Sequence, residues 1–134
     1  MEAGDSDSYF KAGNDNIVKE NYEDAILNYD KAIEINPSFV SAWNNKGIAL
    51  SRLNRYEDAI NCYDKAIEIE PHHANAWYNK AKAYRDMGQS RLDKANEDRT
   101  RAAKLINESL AFFDTANECY NKGDALSKAQ DQSH

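Results

Sequence analysis

Along residues 40–73 the apolar positions follow two helical runs separated by a break. Trp43, Gly47 and Leu50 fall at i, i+4 and i+7, which places them on one face of a helix. Asn54-Arg55 interrupts the pattern and supplies a turn. Tyr56, Ala59, Ile60, Tyr63, Ala66 and Ile67 then recur at helical spacing until Pro71, which cannot continue a helix. The pattern predicts helix, short turn, helix. It then repeats. Residues 21–37 read NYEDAILNYDKAIEINP and residues 55–71 read RYEDAINCYDKAIEIEP, 34 positions apart and identical at 13 of 17 places. Each stretch ends in one of the only two prolines in the chain. A fixed period of this size signals stacked helix pairs in place of one globular core.

Gly47 costs about 1 kcal/mol inside a helix relative to alanine, so its neighbourhood must compensate. The expected compensation is close approach of the partner helix at the small Ala59, with Trp43 and Tyr63 filling the space around it. Unit one carries the same slots as Tyr9, Gly13, Ala25, Tyr29, Ala32 and Pro37. Unit three opens with Trp77, Ala81 and Tyr84 and is expected to turn at Gly88.

Beyond Gly88 the strict period fails, yet YNKGDALS at 120–127 echoes NNKGIALS at 44–51. Gly123 thus extends the series Gly13, Gly47, Ala81, but at a distance of 42 residues, eight more than the period. Ala102, Ile106, Ser109 and Leu110 reproduce the offsets of Ala59, Tyr63, Ala66 and Ile67. The extra residues therefore fall at about 89–96, where they are expected to lengthen the second helix of unit three backward by about two turns; a longer loop is the alternative. Residues 116–130 read as a separate polar capping helix. The charged run from Arg91 to Lys104, with opposite signs three and four apart, reads as a solvated face laced with weak ion pairs. Leu92, Ala95, Arg99, Ala102, Ile106, Ser109, Phe113, Ala116 and Tyr120 also keep a 3-4 spacing, which allows one long helix that pairs with another copy.

The Trp, Gly, Tyr, Ala, Tyr/Phe, Ala and Pro slots on a 34-residue period resemble the tetratricopeptide repeat family. The resemblance implies an all-α solenoid of seven helices in antiparallel pairs, forming part of a right-handed superhelix. As a single domain, 1–134, it would divide into repeats at 6–39, 40–73 and 74–115, the last with about eight inserted residues, and the capping helix. In that family the first helix of each pair lines a concave groove. Carried onto this chain, one row of groove positions holds Lys11, Asn45, Asn79 and Asn121, and a second holds Phe10, Asn44, Tyr78 and Tyr120. Asparagine offers a donor and an acceptor and is a poor helix former, so a row of it suits pairing with an extended backbone. Aromatics with one wet edge suit anchoring.

The family's clamp for heat-shock chaperone tails uses two asparagines and three basic residues. Asn14 and Asn45 stand at its asparagine places, but its basic places hold Phe10, Asn75 and Asn79. That departure argues against a chaperone tail as ligand.

Charge narrows the ligand further. The chain has 17 Lys and Arg against 23 Asp and Glu, a net −6, which disfavours nucleic acid and anionic membranes. The groove positions reverse that sign, with Lys11, Arg52, Lys82, Arg85 and Lys128 against Asp7, Asp86 and Asp124. A carboxylate-bearing segment or a free C-terminus fits this balance.

The acidic start MEAGDSDSYF resembles neither a secretory signal nor a transit peptide, so a cytoplasmic protein is expected. Cys62 is expected to be partly exposed. Cys119, in the slot of Trp43 and Trp77, is expected to be buried; two cysteines make no disulfide framework. His72-His73 and His134 lack a third ligand and read as surface residues, and no cofactor is implied.

No phosphate loop, metal spacing or nucleophile set is present, so the expected function is non-enzymatic. The sequence points to an adaptor or scaffold that binds a protein or peptide partner. Asn14, Asn45, Asn79 and Asn121 would serve as backbone partners, Phe10, Tyr78 and Tyr120 as anchors, and Arg52, Lys82 and Arg85 as carboxylate partners. The competing expectation is a self-associating repeat, a homo-dimer formed through the C-terminal helix and the lengthened third repeat, with Phe112, Phe113 and Tyr120 as contacts.

Overall fold

A computed structural model describes residues 5–132, all helical apart from turns. His134 and the first four residues of the acidic stretch MEAGDSDSYF lie outside the described residues, as does Ser133. The chain divides into two compact units, Met1–Pro71 and His72–His134.

The first unit holds α1 (Ser6–Val18), α2 (Tyr22–Ile35), α3 (Val40–Arg52) and α4 (Tyr56–Ile69). Asp5 starts α1 by accepting the Ser8 backbone N–H at 2.9 Å, which satisfies one of the orphan donors of the first turn. The α1–α2 and α3–α4 turns are built alike. Glu20 and Asn54, 34 positions apart, both take left-handed backbone with φ of 62° and 61°. The next amide in each case, Asn21 and Arg55, donates back to Asn16 and Leu50 at 2.8 and 2.9 Å and ties off a helix-end carbonyl. Pro37 and Pro71 lie just past the ends of α2 and α4, where the missing N–H costs nothing. The core is the row of small residues Ala25, Ala32, Ala42, Ala49, Ala59 and Ala66, with Tyr29 and Tyr63 buried among them.

Gly47 is approached closely, and the atoms nearest to it belong to the ring of Tyr63. Gly13 meets the Tyr29 ring in the same way. An aromatic face laid on a glycine buries more apolar area than two small residues side by side, and this offsets the helical cost of glycine.

The second unit holds two helices, α5 (Ala74–Glu97) and α6 (Ala102–Gln132). Three expectations are corrected here. Gly88 is no turn: it sits inside α5, buried against the Phe113 ring. The inserted residues lengthen the first helix of the pair forward, because Met87, Gly88 and Ala95 continue the buried stripe and one glycine is too weak a breaker to stop it. No separate capping helix forms either. Leu105, Ser109, Ala116, Cys119 and Gly123 are buried and, with the half-buried Phe112 between Ser109 and Ala116, keep a three- and four-residue spacing, so α6 runs straight through and the described residues form six helices, not seven.

The turn falls at residues 98–101. There Asp98 accepts from the Thr100 backbone N–H and hydroxyl at 3.1 and 2.7 Å. These same bonds hold its carboxyl below the usual carboxylate range, the Thr100 hydroxyl first. Charges expected along one helix face are therefore divided between two helices, and Arg91 on α5 bridges to Glu108 on α6 at 3.1 Å.

Candidate functional site

In the second unit the antiparallel register of α5 and α6 is set by two close contacts. Gly88 receives the Phe113 ring, and Gly123 receives the Tyr78 ring and the Trp77 Cβ. This register brings α5 and α6 side chains around a groove of about 520 Å³ lined by Tyr78, Asn79, Ala81, Lys82, Arg85, Phe113, Ala116, Asn117 and Tyr120. Small Ala81 and Ala116 form its floor. Tyr78 and Tyr120 stand together with ring centroids 5.4 Å apart and planes tilted by 49°, and Tyr120 is 55% exposed. Such a pair presents apolar faces to a ligand while its hydroxyls stay wet.

Charge lies on the α5 lip. Lys82 reaches Asp86 at 3.0 Å, so part of its charge is answered within the helix. Arg85 is exposed and engages no carboxylate among the described residues. Its planar fork is suited to a carboxylate from outside. Lys128 is spent in the same manner as Lys82, on Asp124 at 3.1 Å, and this bond holds its ammonium above its ordinary value.

Five of the sequence-derived candidates, Tyr78, Asn79, Lys82, Arg85 and Tyr120, are thus gathered at one groove. Asn121 is not among them; it is exposed on α6 and does not line the groove. Phe113 was absent from the sequence-derived groove because that reading placed it on the second helix of a pair, and Ala116 because it opened the expected capping helix ahead of the groove positions. The 3-4 row shared by Phe113, Ala116 and Tyr120 was the signal that could have found them.

In the first unit Asn14 and Asn45 are joined directly. The Asn45 amide donates to Asn14 Oδ1 at 3.0 Å, and the buried Tyr29 hydroxyl donates to the same oxygen at 2.6 Å. Burial pushes the Tyr29 hydroxyl up to about 12, opposed by its hydrogen bond with Asn45. The two amides are therefore pre-oriented by a core tyrosine, which spends part of their bonding capacity inside the unit. Phe10 is half-buried and packs on Tyr29 and Phe39 with centroids 5.9 and 4.8 Å apart, so much of its face is occupied. Arg52 and Lys11 are exposed. Asn44, in the aromatic row, is 8% exposed and thus belongs to the interior.

Two smaller expectations change. Cys62 is buried as fully as Cys119, because α4 turns it toward the interior beside Ile60 and Tyr63, and burial pushes its thiol up to about 11. His73 is half-buried and caps α5, its Nδ1 accepting the Ala76 N–H at 3.2 Å. No cluster of three His, Cys, Asp or Glu side chains suited to a metal occurs among the described residues. No helix among them is long and apolar enough to cross a membrane.

Family models described as tetratricopeptide repeat match residues 40–73 and 62–95, and one described as TPR repeat matches residues 7–54. Together they run over residues 7–95, more than half of the 134-residue chain. Similar solved structures include a crystal structure of MamA, at 21% identity and TM-score 0.63, covering 92% of this chain and 63% of that one. The chain therefore spans less than two thirds of the MamA chain it matches. The TPR2B domain of yeast Sti1 in its pHsp70 complex matches at 25% identity and TM-score 0.62, covering 90% of this chain and 96% of that domain. The first TPR of Spaghetti (RPAP3), bound to the HSP90 peptide SRMEEVD, matches at 21% identity and TM-score 0.59, covering 95% and 97%. No curated protein sequence matches the chain.

Proposed function

This chain belongs to the tetratricopeptide repeat family, and we propose that it is a non-enzymatic adaptor that captures an extended peptide bearing carboxylates or a free C-terminus. The observation that carries this reading is the α5–α6 groove, where Tyr78 and Tyr120 stand beside Arg85 and Lys82 over an alanine floor. An apolar side chain of the ligand would enter between the two tyrosines. A carboxylate near it would pair with Arg85 and draw Lys82 from Asp86. Asn79 would hold the ligand backbone.

The Sti1 and RPAP3 structures support a peptide as the kind of ligand, since the first is a pHsp70 complex and the second holds an HSP90 peptide. They do not make a chaperone tail the ligand here. Three basic clamp places are occupied by Phe10, Asn75 and Asn79, and Phe10 is already packed on Phe39. Two carboxylates at one chain end would find too little positive charge.

The test is an immobilised library of acidic peptides with one aromatic or aliphatic residue, each made with a free and an amidated C-terminus, and SRMEEVD as comparison. Selective capture that disappears in Arg85→Glu supports the reading. Absence of capture, or capture indifferent to Arg85→Glu and Tyr120→Ala, ends it.

A further inference from the structure

We propose that Ala81 holds the α5–α6 groove open by denying the Tyr120 ring a seat on α5, and that an aromatic side chain of the ligand takes the space so left. This rests on the peptide reading of the same groove and names the side chain that the groove selects. In the series Gly13, Gly47, Ala81 and Gly123, Ala81 is the one alanine. Each glycine of the series carries a ring from the opposite helix: Tyr29 on Gly13, Tyr63 on Gly47 and Tyr78 on Gly123. Gly88, about two turns beyond Ala81, carries Phe113.

The contacts of Gly88 with Phe113 and of Tyr78 with Gly123 give one register over ten residues of each helix. Seven residues back along α5 from Gly88 lies Ala81, and seven forward along α6 from Phe113 lies Tyr120. A step of seven returns a side chain to the same helix face within about 20°. Tyr120 therefore stands to Ala81 as Phe113 stands to Gly88. A Cβ at Gly88 would come within 2.8 Å of the Phe113 ring, closer than van der Waals contact allows, and Ala81 carries that atom. The Tyr120 ring cannot take the same pose. It leans on Tyr78 instead, with centroids 5.4 Å apart, and is 55% exposed, whereas Tyr29 and Tyr63 are 0% and 2% exposed.

Space remains over Ala116, which lines the groove between Phe113 and Tyr120. Those two residues are set about 10 Å apart along α6, with Ala116 near the middle. A ring laid over Ala116 would stand about 5 Å from each, inside the range in which aromatic pairs attract beyond the area they bury. The register also sets Ala116 level with Arg85, whose guanidinium would cover the outer face of that ring and keep its edge for the carboxylate. An aliphatic side chain would gain burial alone.

Two readouts on the full chain test this. The first is titration calorimetry with two acidic peptides identical except at one position, phenylalanine in one and the saturated ring of cyclohexylalanine in the other. The phenylalanine peptide is expected to bind about fivefold tighter or more. The second needs no peptide: the rate at which tetranitromethane nitrates Tyr120, read by mass mapping. Ala81→Gly lets the ring lie down, so nitration of Tyr120 and affinity for the phenylalanine peptide should each fall at least about fivefold. Ala81→Ser keeps the Cβ and should nitrate like the parent chain. Far-ultraviolet dichroism checks that both variants fold, and the peptide pair decides on the parent chain whatever the glycine does. Equal capture of the two peptides, capture of neither, or a Tyr120 equally reactive in Ala81→Gly would overturn the proposal. Where Arg85→Glu still abolishes capture, the peptide reading stands without it.

Discussion

The ring of Phe113 on α6 occupies the place where a side chain at Gly88 on α5 would begin, so that a Cβ there would stand 2.8 Å from the ring edge. The same ring-on-glycine contact joins Gly13 to Tyr29 and Gly47 to Tyr63. In each pair the glycine admits the ring, and the ring fixes the antiparallel register of its two helices. The third contact lies about two turns further along α5 than Ala81, where the repeat period would place its glycine. That shift carries Ile106 and Leu110 out to solvent and brings Phe113 to the groove.

Gly47→Ala sets two effects against each other. The helix gains about 1 kcal/mol in propensity, but the methyl enters the ring of Tyr63, which is 2% exposed and cannot withdraw. A net loss of about 1 to 2 kcal/mol is expected in urea unfolding. Gly123→Ala should cost less, because its Cβ would meet Tyr78 at 3.0 Å and that ring is only half-buried.

Glu20 holds left-handed backbone without glycine's freedom, at a strain of about 1 kcal/mol or more. Glu20→Gly should therefore raise the thermal midpoint. Asn54→Gly, in the equivalent turn, should raise it less, since asparagine tolerates this region and Asn54 also accepts from the Tyr56 hydroxyl at 2.8 Å. Scanning calorimetry of the two variants checks the order.

Tyr120→Ala and Arg85→Glu alter exposed side chains, so each should leave folding stability within about 0.5 kcal/mol. Each should nevertheless weaken capture of an acidic peptide about tenfold or more. Titration calorimetry beside thermal melts separates the two effects.

Alkaline pH should unfold the protein early. Burial raises the Cys62 thiol from 9.0 to about 11 and the Tyr29 hydroxyl from 10.0 to about 12. Once pH passes 9.0 the unfolded chain has lost protons that the folded chain still holds, so stability must fall as pH rises. Cys62→Ala should postpone the decline until Tyr29 begins to contribute near 10.0. Urea midpoints measured against pH decide this.

His73→Ala removes the acceptor for the Ala76 N–H and should cost about 1 kcal/mol, whereas His73→Asp should retain the cap. Dichroism melts of the two variants should differ in that direction.

Much of the first unit was legible because its signals are local and repeated. Pro37, Pro71, Tyr29 and Tyr63 each act within a turn or two of their own helix, and the period copies them. The Tyr78, Asn79, Lys82 and Arg85 row was legible for the same reason, since its spacing on α5 does not depend on what packs against it. Phe113 was not, because its place in the groove depends on where a distant turn falls.

By itself the amino-acid order determined that this protein is built of paired helices on a 34-residue period, since propensity, stripe and stop residues are properties of short segments. Tertiary structure alone decided that Gly88 continues its helix, that α6 absorbs the cap, and that Asn121 stays outside the groove. A lone glycine or an uninterrupted stripe permits more than one helix length. The choice among those lengths is made by the area each register buries against the opposite helix.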